Sequence, residues 1–169
     1  SLVITGAMAS VDVTPTNNLS GELWAAQGTI TEIVDLELLD LTDGPHTVWV
    51  WLVEDNGDLD YTEAASTTYL YDGTPPTVEI EAPSVVTTPP FTVSWSGGDP
   101  SPDSDVGTYT VDYREAGETA WTEWFSRTAI TESVFTTATV GHTYVFRATA
   151  EDRASNTAHD SVRVRVGDY

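Results

Sequence analysis

Two stretches decide the fold: Tyr144-Val145-Phe146-Arg147-Ala148-Thr149-Ala150-Glu151 and, after a short gap, Val162-Arg163-Val164-Arg165-Val166. In both, an apolar side chain returns at every second position and a polar one fills most of the gaps. A β-strand sends successive side chains to opposite faces, so this period describes strands with one buried face and one wet face. The same alternation runs through Phe91-Thr92-Val93-Ser94-Trp95-Ser96 and Tyr109-Thr110-Val111-Asp112-Tyr113-Arg114. No stretch holds the spacing of a helix. The most helix-like piece, residues 31–41, has Val34, Leu36 and Leu38 in strict alternation and reads as a strand before a turn. The predicted class is all-β.

Composition narrows the function before any motif is considered. The 169 residues carry 27 acids against 6 bases, for a net charge of −21, with no cysteine. Every base is an arginine, at Arg114, Arg127, Arg147, Arg153, Arg163 and Arg165. A nucleic-acid binder gains affinity by placing cations on phosphates, and an anionic bilayer attracts basic segments, so a chain this acidic is read as neither. The absence of cysteine removes disulfides and thiolate chemistry. There is no run of 18 apolar residues to span a bilayer as a helix, and no basic start leading into an apolar stretch as in a signal peptide. The opening Ser1-Leu2-Val3-Ile4 reads as a strand begun at once, the expectation for a segment of a longer protein.

The segment Tyr71-Asp72-Gly73-Thr74-Pro75-Pro76-Thr77 marks a boundary, because Asp-Gly favours a turn and two successive prolines cannot donate to a sheet. It predicts two domains, residues 1–73 and 74–169. The charge divides at the same place, with 13 acids and no base before it and 14 acids and all 6 arginines after it. Pro75 and Pro76 are expected to stiffen the connection.

Residues 74–169 resemble a bacterial fibronectin type III or immunoglobulin-like module. The resemblance rests on Thr74-Pro75-Pro76-Thr77-Val78-Glu79-Ile80, on Phe91-Thr92-Val93-Ser94-Trp95-Ser96-Gly97-Gly98-Asp99, on the strand 109–114, on Ala120-Trp121-Thr122-Glu123-Trp124, and on the string from Gly141 through Tyr144 and Phe146 to Asp152-Arg153-Ala154-Ser155-Asn156. It implies that Trp95 fills the space between two sheets, and that Tyr144 returns its hydroxyl to nearby backbone. Phe146 joins them as a structural residue. Residues 1–73 resemble the end of a related repeat through Leu41-Thr42-Asp43-Gly44-Pro45-His46-Thr47-Val48 and Glu54-Asp55-Asn56-Gly57-Asp58, and are short for a complete sandwich of roughly 100 residues. The expected architecture is therefore two tandem antiparallel β-sandwiches, immunoglobulin-like then fibronectin type III-like, the first reduced or truncated. The resemblance implies a non-catalytic extracellular or cell-surface stalk, spacer or adhesion module of a larger bacterial protein, partnered by its neighbouring domains.

Candidate chemistry is sparse. His46, His142 and His159 lack the spacing of a metal pair, and no Gly-x-Ser-x-Gly elbow, phosphate-cradling loop or His-Glu-x-x-His helix occurs. No enzyme and no organic cofactor are expected. Calcium is the metal to weigh, because it takes six or more hard oxygen ligands. Asp55, Asp58 and Asp60 crowd one loop, and Asp99, Asp103 and Asp105 another, although neither has EF-hand spacing and solvated acidic turns have the same composition. In the strand His46-Thr47-Val48-Trp49-Val50-Trp51-Leu52-Val53, comparison with the family turns Val48, Val50 and Leu52 inward. That sends Trp49 and Trp51 outward as an aromatic ledge for a surface glycan or protein, unless a neighbouring segment covers them. The Asn18-Leu19-Ser20 sequon is too frequent by chance to carry weight.

Overall fold

The computed structural model describes residues 4–11, 15, 22–25, 41–54, 61–100 and 105–167. The fold is all-β with several antiparallel sheets, and the only helical element among the described residues is a 3-10 turn at Tyr61–Glu63. The chain divides into two compact units, Ser1–Tyr71 and Asp72–Tyr169. Pro75 and Pro76 thus lie inside the second unit, where Pro76 is buried and Pro75 exposed.

The described part of the first unit is one four-stranded antiparallel sheet in the order β2-β1-β3-β4, formed by β1 (Ile4–Val11), β2 (Glu22–Ala25), β3 (Gly44–Glu54) and β4 (Ala65–Tyr71). Strand β3 sits between β1 and β4, and its register runs unbroken from Val48 opposite Val11 to Val53 opposite Gly6. The buried residues include Ala9, Ser10, His46, Val48 and Trp51. Val48 and Trp51 are an odd number of residues apart on a regular strand, so they occupy opposite faces. Both faces are therefore covered over part of the sheet.

That arrangement corrects the expected tryptophan ledge. Trp51 is 1% exposed and Leu52 is 46% exposed, the reverse of the expected sidedness, while Trp49 is half-buried. Period-two alternation fixes which residues share a face but does not say which face is covered at a given point. An indole has more apolar area to remove from water than a leucine, and here it is the indole that is covered. Of the strand 31–41 predicted from its alternation, residues 31–40 lie outside the described residues, and Leu41 precedes β3 without belonging to a strand.

The second unit has two sheets. One is three-stranded, β10-β7-β5, from β5 (Thr77–Glu81), β7 (Phe91–Gly98) and β10 (Glu132–Phe135). The other is five-stranded, β6-β12-β11-β8-β9, from β6 (Val85–Val86), β8 (Val106–Glu115), β9 (Thr122–Thr128), β11 (Thr143–Asp152) and β12 (Thr157–Val166). The alternating residues become one core: Phe91, Val93 and Trp95 from the first sheet meet Tyr109, Val111, Tyr144, Phe146, Ala148, Ala150, Val164 and Val166 from the second. Phe135 lies at its aromatic centre, with ring centroids 4.8 Å from Tyr113, 4.9 Å from Phe146, 5.3 Å from Trp124 and 5.4 Å from Tyr144.

Polar groups entering this core find partners. The Trp95 indole N–H donates to the Ile130 carbonyl at 2.7 Å, and the Tyr144 hydroxyl accepts the Thr139 backbone N–H at 3.1 Å. Gly97 is needed where β7 pairs with β5, since a Cβ there would lie 2.4 Å from the Thr77 carbonyl oxygen. One pair departs from the antiparallel pattern. Strand β6 runs parallel to β12, with Arg165 N–H donating to Ser84 O at 2.9 Å and Gly167 N–H to Val86 O at 2.7 Å.

Candidate functional site

Three carboxylates from separate parts of the second unit converge at one corner. Asp72 lies before β5, Asp99 follows β7 and Asp152 ends β11. Each offers an oxygen, and these oxygens lie within 4.8 Å of one another. The β11–β12 turn holds the corner together through Asn156. Asp152 Oδ1 accepts the Asn156 backbone N–H at 2.8 Å, and Asp152 Oδ2 accepts the side-chain amide at 2.9 Å. The same amide nitrogen donates to the Asp72 carbonyl at 3.0 Å, so one side chain ties the start of the unit to the end of β11. Asp72 Oδ1 accepts the Thr74 N–H at 3.0 Å, as in an Asx turn.

This leaves a specific electrostatic feature. Asp152 is 4% exposed, and Asp72 Oδ2 is buried without a hydrogen-bond donor. A buried carboxylate oxygen that accepts nothing is costly, and clustered acidic groups repel one another. Three carboxylates supply the hard oxygens that a calcium ion takes, and backbone carbonyls and water commonly complete its shell.

The sequence candidates meet this corner only in part. Asp99 belongs to it. Asp105 does not: it is exposed, and its Oδ1 accepts the N–H of Val106 at 2.9 Å at the start of β8. Asp55, Asp58, Asp60 and Asp103 lie outside the described residues. Loop composition does not mark Asp72 or Asp152. Each sits in a segment already quoted, as a turn residue and in the string 141–156, but nothing local announces that the sheets bring them together.

Other polar contacts among the described residues join neighbouring strands and turns within each unit. Arg147 pairs with the buried Asp112 at 2.7 Å across β11 and β8, and Arg127 pairs with Glu151 at 2.9 Å. Arg114 and Arg147 place their guanidinium carbons 4.5 and 4.4 Å from the Trp121 ring centroid, a cation–π arrangement. His142 Nδ1 bonds Glu115 Oε1. His46 is buried, with Nε2 2.6 Å from the Thr42 carbonyl and its ring 5.8 Å from that of Tyr69, a packing role. Burial raises the pKa of Tyr109 above the ordinary phenol value, with the charge of Asp105 adding to the effect.

The ledge expected from Trp49 and Trp51 does not form, because the second indole is buried. No helix among the described residues is long and apolar enough to cross a membrane. No known protein family matches the chain, and no curated protein matches it.

Proposed function

We propose that this chain is a load-bearing spacer: a non-catalytic segment, immunoglobulin-like and fibronectin type III-like in character, of a stalk on a bacterial surface or secreted protein. The observation that carries this reading is the parallel pairing of β6, near the start of the second unit, with β12 at its end. In a parallel pair the chain enters at one end of the strands and leaves at the other. Tension between the ends then slides the two strands along each other, loading the bonds Arg165 N–H to Ser84 O and Gly167 N–H to Val86 O together. An antiparallel hairpin pulled at its open end instead gives way one bond at a time. The acidic surface suits such a role, since like charge keeps neighbouring copies soluble and apart. The test is single-molecule stretching of the full chain from its two ends. The second unit should unfold in one step, releasing roughly 300–350 Å of contour for residues 72–169. Arg165→Pro, which removes the N–H that donates to Ser84 O, should lower the force of that step, and a step unaffected by Arg165→Pro would overturn the reading.

A second reading is favoured by the corner at Asp72, Asp99 and Asp152. Calcium held there would bridge the start of the second unit to the ends of β7 and β11, stiffening the spacer at the segment that receives the load. Asp152 and Asp72 would contribute the buried oxygens, and Asn156 would keep both in place. Isothermal titration with Ca²⁺ tests this: binding lost in Asp72→Asn supports it, and no heat in the wild type sinks it without affecting the stretching result.

A further inference from the structure

The arginines of the second unit are not scattered. Arg114, Arg147, Arg163 and Arg165 stand on β8, β11 and β12, on the face turned away from the core residues Val111, Phe146 and Val164. The register brings them together. Arg163, Val145 and Arg114 form one row across the three strands, Arg165 and Thr143 the row on one side of it, and Ser161, Arg147 and Asp112 the row on the other. With about 3.3 Å per residue and about 4.8 Å between strands, the four Cα positions fall in a rectangle of roughly 10 by 13 Å. The strands of the other sheet carry Glu79, Glu81 and Glu132 and no base, so charge is segregated between the two outer faces.

Two of the four cations are already held in place. Arg114 and Arg147 lie against the Trp121 ring; Arg147 also bonds Asp112, and Arg114 bonds the Glu118 carbonyl. Asp112 offsets one charge, and Glu123 stands opposite it on β9. Toward β12 the outward positions bear hydroxyls instead of acids, at Thr143, Thr149 and Ser161. Arg163 is exposed and has no hydrogen bond or ion pair among the described residues. A shallow groove lined by Ser84, Val85, Thr143, Arg163 and Arg165 runs beside it.

We propose that this face binds an acidic polysaccharide, a polymer of carboxylated sugars lying across β12, β11 and β8. A guanidinium takes a carboxylate through two parallel N–H bonds, and cations fixed beforehand against an indole lose less freedom on binding. The hydroxyls between the cations are partners for those of a sugar ring. A protein partner fits less well. Stable protein interfaces centre on apolar anchors, and the large exposed apolar side chains among the described residues, Leu52, Leu70, Ile130, Val134 and Val140, all lie outside β8, β11 and β12. Duplex DNA, with roughly one charge per 1.7 Å, meets the net charge of −21 at greater cost than a polymer with one charge per sugar. The proposal does not rest on the spacer reading, since load passes along β6 and β12 whether or not the outer face is occupied.

The experiment is biolayer interferometry of the full chain on immobilised polygalacturonate, with dextran, polyglutamate and duplex DNA surfaces alongside. The expected result is binding to polygalacturonate at about 0.15 M salt and its loss at about 1 M, where charges are screened beyond roughly 3 Å. Arg163→Ser should weaken it about tenfold, the weight of one charge-assisted bond, and Arg163→Lys should recover only part of that. Arg153→Ser makes the same change in net charge in the exposed β11–β12 turn and should bind as the wild type does. Both side chains are exposed, so the melting temperatures should stay at the wild-type value. No binding to polygalacturonate overturns the proposal, as does equal binding to dextran. Equal weakening by Arg153→Ser and Arg163→Ser overturns it by showing that net charge and not this face decides. Polyglutamate bound as tightly would reassign the face to an acidic protein, and duplex DNA bound as tightly would show a face that reads charge alone; either result overturns the choice of a glycan.

Discussion

Replacing Phe146 by alanine tests whether the second unit is closed by the aromatic cluster described above. Phe146 is fully buried (0% exposed) in β11. Its ring centroid lies 4.9 Å from Phe135, 5.8 Å from Trp124, 5.9 Å from Phe91 and 6.2 Å from Tyr113, so it touches both sheets. Truncating a buried phenylalanine removes its transfer free energy and leaves a cavity, together costing about 3–5 kcal/mol. For a unit of this size each kcal/mol lowers the melting temperature by about 4–8 °C, so the fall should be at least about 12 °C. Hydrogen exchange resolved to residues 143–152 reads this unit separately from the first. Because about 1.4 kcal/mol is a factor of ten, protection in β11 should drop at least about a hundredfold. Val134, half exposed on β10 (50%), supplies the control. Its replacement by alanine should stay within about 0.5 kcal/mol of the wild type, as surface changes usually do. A loss below about 1 kcal/mol for Phe146→Ala would mean that the two sheets do not close on this cluster, and would refute the packing proposed here.

Tyr144→Phe removes the hydroxyl that receives the Thr139 N–H and should cost about 0.5–1.5 kcal/mol by thermal melting, with the fold unchanged by circular dichroism. In the first unit, Trp51→Ala should destabilise by about 3–5 kcal/mol in exchange protection of β3, while Leu52→Ala costs under about 1 kcal/mol; a larger loss for Leu52→Ala than for Trp51→Ala would restore the opposite sidedness. Tyr109 gives a pH dependence. Its folded pKa is raised from 10.0, so between the unfolded and folded values the native state holds the proton more firmly. This contribution is full below pH 10.0 and is lost as pH rises through the folded value. Urea melts across that range should show falling stability in the wild type and a shallower fall in Tyr109→Phe.

The alternating runs were enough to predict the strands of the second unit because a sheet between solvent and a single core imposes period two on its sequence. Phe91, Val93, Trp95, Tyr144 and Phe146 are all buried where their spacing put them. The first unit was harder to read from the same kind of pattern. His46, Val48 and Trp51 are buried on a strand with covered ground on both faces, and alternation loses its meaning when both sides of a sheet are covered in part. The acidic corner was illegible for a different reason. Asp72, Asp99 and Asp152 are spread over 80 positions of the sequence and meet only because the fold places the segment before β5, the end of β7 and the end of β11 side by side. Loop composition drew attention to Asp105, which accepts a hydrogen bond from its own neighbour, and missed Asp152, whose surroundings come from long-range pairing.

The spacer reading depends on the direction in which force meets the strands, and that dependence can be measured. The chain has no cysteine, so paired cysteines introduced for attachment are unique handles. One pair placed at Asp72 and Asp168 pulls the second unit from its ends and shears β6 along β12. Another at Thr143 and Arg165, which lie opposite each other in the antiparallel β11–β12 pair, peels those strands apart from their open end. The end-to-end geometry should resist several-fold higher force than the peeling geometry at the same loading rate. Equal forces in the two directions would contradict the claim that the parallel β6–β12 pair makes this chain a load-bearing spacer.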